Sequence, residues 1–210
     1  MERRIKKEIV EVARLMYDKG FANTYEGNVS VLYDGKVFIT PSAVSKALLT
    51  EDMLVVTDTQ GNVLEGEYKP SSEIKLHLAA YRYRDDIASV VHAHPPYSTA
   101  FALANKAIES KAHPELVVLY DSIPLARYGT PSTDEIYQGM EEYIQDHDII
   151  LLANHGIVAL GKSTYDSFTK LESAESIAKT YVLAQLLGGV KDLPKNKLEE
   201  LYRLREKRKG

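Results

Sequence analysis

The chain has 210 residues, of which 44% are hydrophobic and 27% are charged, and its formal net charge is -4. This is an ordinary globular composition, and its interspersed charges exclude the broad basic surface that nucleic acid requires. Because there is no cysteine, disulfides and thiolate metal sites are excluded, and a transition metal would need His, Asp or Glu ligands.

The N-terminal segment predicts an amphipathic helix at residues 2–19 and not a signal peptide. Apolar residues recur at helical spacing from Ile5 to Met16, and Gly20 stands where such a helix would end. No apolar run approaches the ~20 residues of a membrane span. We therefore expect a cytoplasmic protein that does not bind a membrane.

The rest of the chain alternates short strands and helices. Apolar runs predict strands at 28–33, 36–40, 53–58, 63–66, 87–94, 115–120, 123–128 and on both sides of 154–156. Amphipathic segments predict helices at 71–83, 97–105, 132–145 and 163–186, and a charged helical tail at 191–210. The successive hairpins favour a mixed, largely antiparallel sheet in a single α/β domain covering 1–210.

Two histidines stand at the end of the predicted strand 87–94. Side chains alternate along a strand, so His92 and His94 point to the same face, with Cα atoms about 7 Å apart. Two imidazoles at this spacing can converge on one ion at ~2.1 Å each. A packing role for a histidine in a strand remains the alternative.

A third histidine breaks an apolar run in the segment "LLANHGIVAL". Core packing gives no reason for Asn-His-Gly there, and Gly156 would permit a tight turn with close backbone approach. Together with the pair at 92 and 94, His155 would make a site of three imidazoles and one open position, which is typical of a catalytic metal centre. A simple turn role for His155 is the competing interpretation.

Glu73 follows two serines at the start of the predicted helix 71–83. Ser71 or Ser72 can cap this helix, and an acid in its first turn is favoured by the helix dipole. A capping box would require Glu three residues after the cap, and residues 74 and 75 are Ile and Lys, so that explanation fails. The two serines also suit a phosphate at the helix N-terminus.

Two further segments add polar groups that suit a phosphate. "EGNVS" carries Gly27 and Asn28 before a strand, and "TPSAVSK" carries Ser42 and Lys46 after one. Each segment alone is ordinary turn chemistry. With the serines at 71 and 72 they would surround a phosphate with neutral donors and one ammonium.

The motifs "GNVS", "ITPSAVSK", "PSSE", "VVHAHPPYSTAFA" and "LLANHGIVALG" occur in an order and spacing that resemble the class II aldolase/epimerase family over roughly residues 5–190. The resemblance implies a three-layer α/β/α fold and a homotetramer with active sites at subunit interfaces. It also implies one divalent metal per subunit on His92, His94 and His155, usually zinc, with manganese, cobalt or iron as alternatives.

The resemblance further assigns roles to other residues. Glu73 matches the catalytic acid/base and can approach the metal in the free enzyme. Tyr202 and His113 match positions near active-site tyrosines of relatives, with helix packing as the alternative for Tyr202. The implied phosphate site comprises Gly27, Asn28, Ser42, Ala43, Lys46, Ser71 and Ser72.

Departures from the family pattern bear on the substrate. Tyr25 replaces a threonine that contacts phosphate in fuculose-phosphate aldolases, and Ala43 replaces a glycine, which makes Lys46 a candidate extra phosphate contact. Epimerases carry Asp where this chain has Glu73, and they have a catalytic aspartate where it reads "ELVVLY". Both differences favour an aldolase over an epimerase.

The expected reaction is therefore reversible cleavage of a short ketose 1-phosphate into dihydroxyacetone phosphate and an aldehyde. The "YEGN" and "HAHPPY" variants resemble aldolases of small deoxysugar phosphates such as 5-deoxyribulose 1-phosphate. Epimerisation or dehydration of a related phosphate is the alternative within the family. A non-catalytic module like the adducin head is the other, and the retained histidines argue against it. A lysine Schiff base is disfavoured because no lysine stands in an apolar strand.

Overall fold

A computed structural model describes residues 1–209 of the chain. The strands are β1 (Asn28–Tyr33), β2 (Lys36–Ile39), β3 (Val55–Asp58), β4 (Val63–Glu65), β5 (Ser89–Ala93), β6 (Leu125–Ala126), β7 (Ile149–Leu152) and β8 (Gly156–Gly161). The α-helices are α1 (Glu2–Asp18), α2 (Ile74–Tyr83), α3 (Pro96–Leu103), α4 (Pro114–Leu119), α5 (Glu135–Gln138), α6 (Thr164–Leu186) and α7 (Lys195–Lys209). Two short 3-10 helices lie at Lys46–Leu48 and Glu51–Met53.

All eight strands form one sheet in the order β4-β3-β2-β1-β5-β8-β7-β6. Every pairing is antiparallel except that of β6 with β7, which is parallel. The predicted mixed, largely antiparallel sheet is therefore confirmed. In the centre of the sheet, His92 pairs with Asn28 on one side and with Val158 on the other, which sets the register around the histidine strand.

Helices cover both faces of the sheet and bury two apolar clusters. One cluster contains the inward faces of α1 and α6 with residues such as Met16, Val91 and Leu171. The other lies under α2 and α5 with residues such as Leu76 and Val158. Since Val91 and Val158 belong to opposite clusters, strand alternation sends apolar side chains to both faces, as a sheet between two helical layers requires.

Three predicted elements between 115 and 145 were wrong in type or length. Residues 115–120, expected as a strand, lie mostly in helix α4, which begins at Pro114, a residue favoured in the first turn of a helix. The strand expected at 123–128 is reduced to the two residues of β6. The helix expected at 132–145 is only α5, which ends at Gln138 and is followed by turns; at Gly139 a Cβ would lie 2.5 Å from the Arg127 carbonyl oxygen.

The C-terminal helix α7 packs against α4 through contacts such as the Arg205 hydrogen bond to the Val117 carbonyl, at 3.3 Å. The helical tail predicted at 191–210 begins later, at Lys195, and residue 210 lies outside the described residues. Within 1–209, every helix is too short or too polar to cross a membrane.

Candidate metal and proton-transfer site

Three imidazole rings meet at one end of the central strands. His92 lies in β5 and His94 directly follows it, while His155 lies in the turn between β7 and β8. The ring centroids are 4.7 to 4.9 Å apart, and one ring nitrogen from each histidine lies within 4.8 Å of the others. The antiparallel pairing of β5 with β8 therefore unites histidines that are about sixty residues apart in sequence.

The turn that carries the third histidine is shaped by close packing. Asn154 adopts a left-handed φ of 57°. At Gly156, a Cβ would lie 2.5 Å from the Ala93 carbonyl oxygen and 2.5 Å from Cδ2 of His94. Only glycine allows such an approach, so the expected tight turn and close backbone contact at Gly156 are confirmed.

The hydrogen bonds of the rings leave their inner nitrogens free to bind an ion. His92 Nδ1 lies 2.9 Å from the Ile157 carbonyl oxygen and so donates its proton there, which leaves a lone pair on Nε2. His94 Nδ1 lies 3.7 Å from the Glu26 carboxylate, which favours the same tautomer. Burial and the neighbouring His92 lower the pKa values of His94 and His155 to about 4, so both rings are neutral at pH 7.

Glu73 completes this cluster. Its Oε2 lies 3.1 Å from His92 Nε2, and its Oε1 lies 3.2 Å from His155 Nε2. Burial by itself would raise the pKa of Glu73, but His92, His155 and the Asn28 amide together hold that pKa well below its usual range. The carboxylate is therefore ionised.

The donor set fits a divalent metal ion. His92 Nε2 and His94 Nε2 are 3.0 Å apart, and the Glu73 carboxylate adjoins the same space. Lone pairs at these distances repel one another unless a proton or a cation lies between them. Burial lowers the pKa of His92, but Glu73 and the Ile157 carbonyl outweigh this and raise it, so a bound cation would take the place of a proton on Nε2. Three imidazoles with an adjacent carboxylate are ligands that suit zinc and related divalent ions.

The start of helix α2 differs from the expected arrangement. The N-cap residue is Glu73 itself, and not Ser71 or Ser72. Ser71 instead accepts a hydrogen bond at its Oγ from the Glu73 backbone N–H, at 3.2 Å, and its carbonyl accepts one from Ile74. Ser71 thus organises the turn that precedes α2, and the Glu73 carboxylate at the end of this turn faces the imidazoles.

Two loops that carry predicted phosphate residues lie side by side. Pro41 forms a bridge with Pro70, and Ser42 N–H donates to the Lys69 carbonyl at 2.9 Å. Ser71 N–H donates to Thr40 at 3.1 Å. The structure therefore brings Ser42 and Ala43 close to the paired serines at 71 and 72.

Backbone conformation explains two positions in these loops. Gly27 has a φ of 74°, and a Cβ there would lie 2.8 Å from that of Ala22, so a side chain is excluded. Ala43 has a φ of 57°, a left-handed conformation that costs a non-glycine residue about 1 kcal/mol or more. This strain accounts for the glycine that the family pattern has at that position.

Lys46 is a buried cation. Only 2% of its surface is exposed, and its Nζ donates to the Val44 carbonyl at 3.2 Å. Burial lowers the pKa of Lys46 to about 8, and the negative charge of Glu73 opposes this shift. An ammonium held in such a place is suited to meeting an anion.

Two predicted catalytic residues, His113 and Tyr202, contact residues of this chain that lie outside the histidine cluster. His113 precedes α4, and its Nδ1 lies 3.1 Å from Glu115. Tyr202 lies on α7 and is 37% exposed. It adjoins Asp121, whose pKa burial alone would raise, but which Lys111 and, more weakly, Arg205 and Tyr202 lower.

The sequence did not indicate His77 or Glu26 as site residues, and it indicated Asn28 only as a phosphate-binding residue, not as a support of the cluster. His77 and Asn28 lie behind Glu73, and Glu26 lies beside His94. One signal for His77 was present, because it follows Glu73 by four residues and so shares its helix face. Glu175, which binds the start of α3 directly after the histidine strand, had no comparable signal, since it is 81 residues from His94.

The comparisons with known proteins agree with this fold. A family model described as Class II Aldolase and Adducin N-terminal domain matches residues 7–182. The L-fuculose phosphate aldolase of Methanocaldococcus jannaschii is 36% identical over 182 residues, covering 87% of this chain and 98% of that protein. The 5-deoxy-D-ribulose 1-phosphate aldolase of Bacillus thuringiensis serovar kurstaki is 33% identical over 199 residues, covering 93% and 92%.

A solved structure of an L-fuculose 1-phosphate aldolase superposes with a TM-score of 0.90 at 32% identity, covering 99% of this chain and 97% of that one. The chain therefore belongs to the class II aldolase and adducin N-terminal domain family. Within that family it is a class II aldolase. Class II aldolases are metal-dependent, and the three-histidine cluster is the group in this chain that could hold the ion.

Proposed function

We propose that this aldolase reversibly cleaves a short ketose or deoxyketose 1-phosphate into dihydroxyacetone phosphate and an aldehyde. The observation that carries the proposal is the convergence of His92, His94 and His155 with the Glu73 carboxylate 3.1 to 3.2 Å from two of the rings. This arrangement combines a metal site with a group that can move a proton, and cleavage beside a ketone needs both.

His92, His94 and His155 would hold the ion, with Glu73 as a further ligand in the free enzyme. Three imidazoles make zinc the first candidate, with manganese or cobalt as alternatives. When bound, a divalent ion there supplies a Lewis acid that stabilises negative charge on the substrate oxygens.

The ligand set is tested by metal analysis of the purified protein. We expect about one ion per chain in the wild type and almost none in His92→Ala. His147→Ala is the matched control, because this histidine lies outside the cluster and its replacement should leave the metal content unchanged. Full metal retention in His92→Ala would contradict the ligand assignment.

Glu73 is the proposed acid/base. In the condensation direction, its carboxylate takes a proton from the hydroxymethyl carbon of dihydroxyacetone phosphate. That carbon then bonds to the aldehyde carbon, and the aldehyde oxygen gains a proton to become a hydroxyl. In cleavage, the protonated Glu73 returns its proton to the carbon. A base must start ionised, and the surroundings of Glu73 keep it in that form.

The proposed phosphate site uses the two adjacent loops and the buried ammonium. Its residues are Gly27, Asn28, Ser42, Ala43, Lys46, Ser71 and Ser72. The neighbouring positions of Ser42 and Ser71 support a common site. Lys46 would supply a full positive charge from a site with little access to water.

The names of the relatives guide the choice of substrate. We propose 5-deoxyribulose 1-phosphate as the first candidate and L-fuculose 1-phosphate as the second, because relatives with both names match most of the chain. A panel of ketose 1-phosphates, with dihydroxyacetone phosphate measured by a coupled reductase, tests this. If metal-replete protein cleaves none of them, the aldolase substrate assignment is wrong.

We also propose a homotetramer whose active sites lie at subunit interfaces. His113 and Tyr202 would then serve the site of a neighbouring subunit, with Tyr202 giving a proton to the aldehyde oxygen. The partial exposure of Tyr202 on α7 supports this arrangement. Light scattering measures the assembly, and Tyr202→Phe should lower turnover without changing the metal content. Normal turnover in Tyr202→Phe would remove this residue from catalysis.

A further inference from the structure

A buried chain of hydrogen bonds runs behind the candidate metal site. It passes from Tyr81 to Ser30, His77, Asn28 and finally Glu73, with successive distances of 2.7, 2.6, 2.5 and 2.9 Å. All five residues are buried, and His77 and Ser30 have no exposed surface at all. The chain joins β1 to α2 and ends at the carboxylate beside the imidazoles.

The direction of each hydrogen bond follows from the one at Glu73. Asn28 donates from Nδ2 to the carboxylate, so its Oδ1 faces Nε2 of His77, and that nitrogen must carry a hydrogen. A neutral His77 then accepts at Nδ1 from the Ser30 hydroxyl, which in turn accepts from Tyr81. Burial lowers the pKa of His77 to about 3, so the ring is neutral at pH 7.

The tautomer of His77 and the orientation of the Asn28 amide are therefore coupled. If His77 carried its hydrogen on Nδ1, a lone pair on Nε2 would face the Asn28 carbonyl oxygen. The amide would have to turn over, and its carbonyl oxygen would then face the Glu73 carboxylate. Both arrangements bring lone pairs together in a site without water, which is strongly unfavourable.

We propose that His77 is a positioning residue whose Nε2–H fixes the Asn28 amide with its NH₂ group toward Glu73, and thereby fixes the Glu73 carboxylate beside the histidine cluster. The second hydrogen of the same NH₂ group remains available to the proposed phosphate site. The kinetic part of this inference rests on the proposed function, whereas the tautomer itself does not.

The tautomer can be observed directly. In full-length protein labelled with ¹⁵N-histidine, two-bond ¹H–¹⁵N correlation spectra distinguish the Nε2–H form from the Nδ1–H form. We expect His77 to show the Nε2–H pattern unchanged between roughly pH 5 and pH 8, with its signal identified by its loss in His77→Gln. An Nδ1–H pattern, or titration near the ordinary histidine value of about 6.5, would overturn the proposal.

A matched pair of substitutions tests the role. The amide of glutamine reaches the position of Nε2, so His77→Gln can still donate to Asn28, whereas His77→Asn reaches only the position of Nδ1. We expect His77→Asn to lose roughly 10- to 100-fold in kcat/KM, mainly in kcat, and His77→Gln to recover most of that loss. Thermal melting shows whether both variants are folded. Equal losses of kcat/KM in two folded variants would contradict the proposal.

Ser30→Ala provides a second test that leaves the ring in place. It removes the donor to His77 Nδ1 but leaves the Asn28 carbonyl oxygen, so the chemical shift of Nδ1 should change while the Nε2–H tautomer persists. Ser89→Ala is its control, because Ser89 is a buried serine on the neighbouring strand whose hydroxyl pairs with Ser167 instead, at 2.8 Å. A change to the Nδ1–H tautomer, or an unchanged Nδ1 shift, in Ser30→Ala would contradict the proposed chain of hydrogen bonds.

These measurements separate the inference from the proposed function. If wild-type protein cleaves no ketose phosphate but His77 shows the Nε2–H tautomer, the substrate assignment fails and the positioning geometry stands. If wild-type protein is an active aldolase but His77 shows the other tautomer, the positioning role fails alone.

Discussion

Two buried glutamates lie beside helix N-termini and use their carboxylates differently. Glu175 projects from α6 and caps α3: it accepts hydrogen bonds from the N–H groups of Tyr97 and Ser98 and from the Ser98 hydroxyl, at 2.7 to 2.9 Å. Glu73 occupies the N-cap of α2, yet its carboxylate turns away from that helix toward His92 and His155. Their exposed fractions are similar, at 6% and 8%.

The difference separates a carboxylate whose contacts stabilise a helix from one that is proposed to serve chemistry. Glu175 neutralises free N–H groups and the positive end of a helix dipole, and both effects stabilise the fold. Glu73 forgoes these contacts and is held, ionised, among groups that favour its charge. A carboxylate kept in such surroundings is a candidate for function, because perturbed ionisable groups gather at active sites.

The largest expected effect is on turnover, and it separates the two glutamates. We expect Glu73→Gln to lower kcat by roughly 10²- to 10⁴-fold, since the amide cannot move the proton at carbon. Glu175→Gln should stay within about tenfold of the wild type, since its carboxylate binds backbone and hydroxyl groups of α3. Steady-state cleavage of the best ketose phosphate measures both variants.

Metal content is the control for this comparison. Glu73→Gln should retain the ion, because three imidazoles remain. A near-normal rate in metal-replete Glu73→Gln would remove Glu73 from catalysis. Equal loss of activity in both variants would contradict the proposal that Glu73 acts in proton transfer whereas Glu175 only stabilises α3.

Both variants should also lower stability. Glu175→Gln presents an NH₂ group to donors and loses part of a charged cap, so we expect the free energy of unfolding to fall by about 2 to 3 kcal/mol. Glu73→Gln removes a charge that His92, His155 and the Asn28 amide favour, so it too should lower the free energy of unfolding, and an unchanged value would contradict the low pKa of Glu73. Urea denaturation with a chelator present measures both without the contribution of a bound metal.

His77 lies behind Glu73 and faces Asn28. Burial and, less strongly, His92 lower its pKa, and Glu73 opposes them. Because its pKa is about 3 when folded and about 6.5 when unfolded, the unfolded chain binds more protons between these values. His77 therefore lowers the free energy of unfolding as pH falls below 6.5, by about 2 kcal/mol at pH 5.

This acid sensitivity should be removed in His77→Gln. Between pH 7 and pH 5, the free energy of unfolding of the wild type should fall by about 2 kcal/mol more than that of His77→Gln. His147→Gln is the comparison, because His147 is only partly buried and should give a smaller shift. Parallel pH profiles for wild type and His77→Gln would show that His77 titrates normally.

Much of the site could be predicted from local patterns. Strand alternation placed His92 and His94 on one face, and the Asn-His-Gly break in an apolar run marked His155. Their convergence depends on the register of β5 with β8, which joins Ala93 to Ile157 and which no local pattern in one sequence specifies. The supporting contacts behind Glu73 were missed for the same reason, since Asn28 and His77 are 49 residues apart.

The region between 105 and 147 was predicted least well. Its apolar run "ELVVL" fits either a strand or one side of a short helix, and the tertiary environment selects α4, which buries Leu116 and Val117 against the core. The helix expected after Thr133 ends at Gln138, where the close approach of Gly139 to Arg127 becomes possible. Short elements depend on such contacts more than long, strongly periodic ones do.

The smallest expected effect belongs to Lys46, a buried cation whose partner in the free protein is the Val44 carbonyl. If Lys46 meets the substrate phosphate, Lys46→Met should raise KM roughly tenfold, about 1.4 kcal/mol, with kcat nearly unchanged.

The pKa of Lys46 is about 8 in the folded protein and 10.5 when unfolded, so the unfolded chain binds more protons between pH 8 and pH 10.5. The contribution of Lys46 to the wild-type free energy of unfolding should therefore rise with pH across this window. Over the same window KM should rise, because the ammonium is lost. Lys46→Met should show neither trend, and Lys36→Met, at a surface lysine paired with Glu2, should resemble the wild type. An unchanged KM in Lys46→Met would assign Lys46 to packing alone.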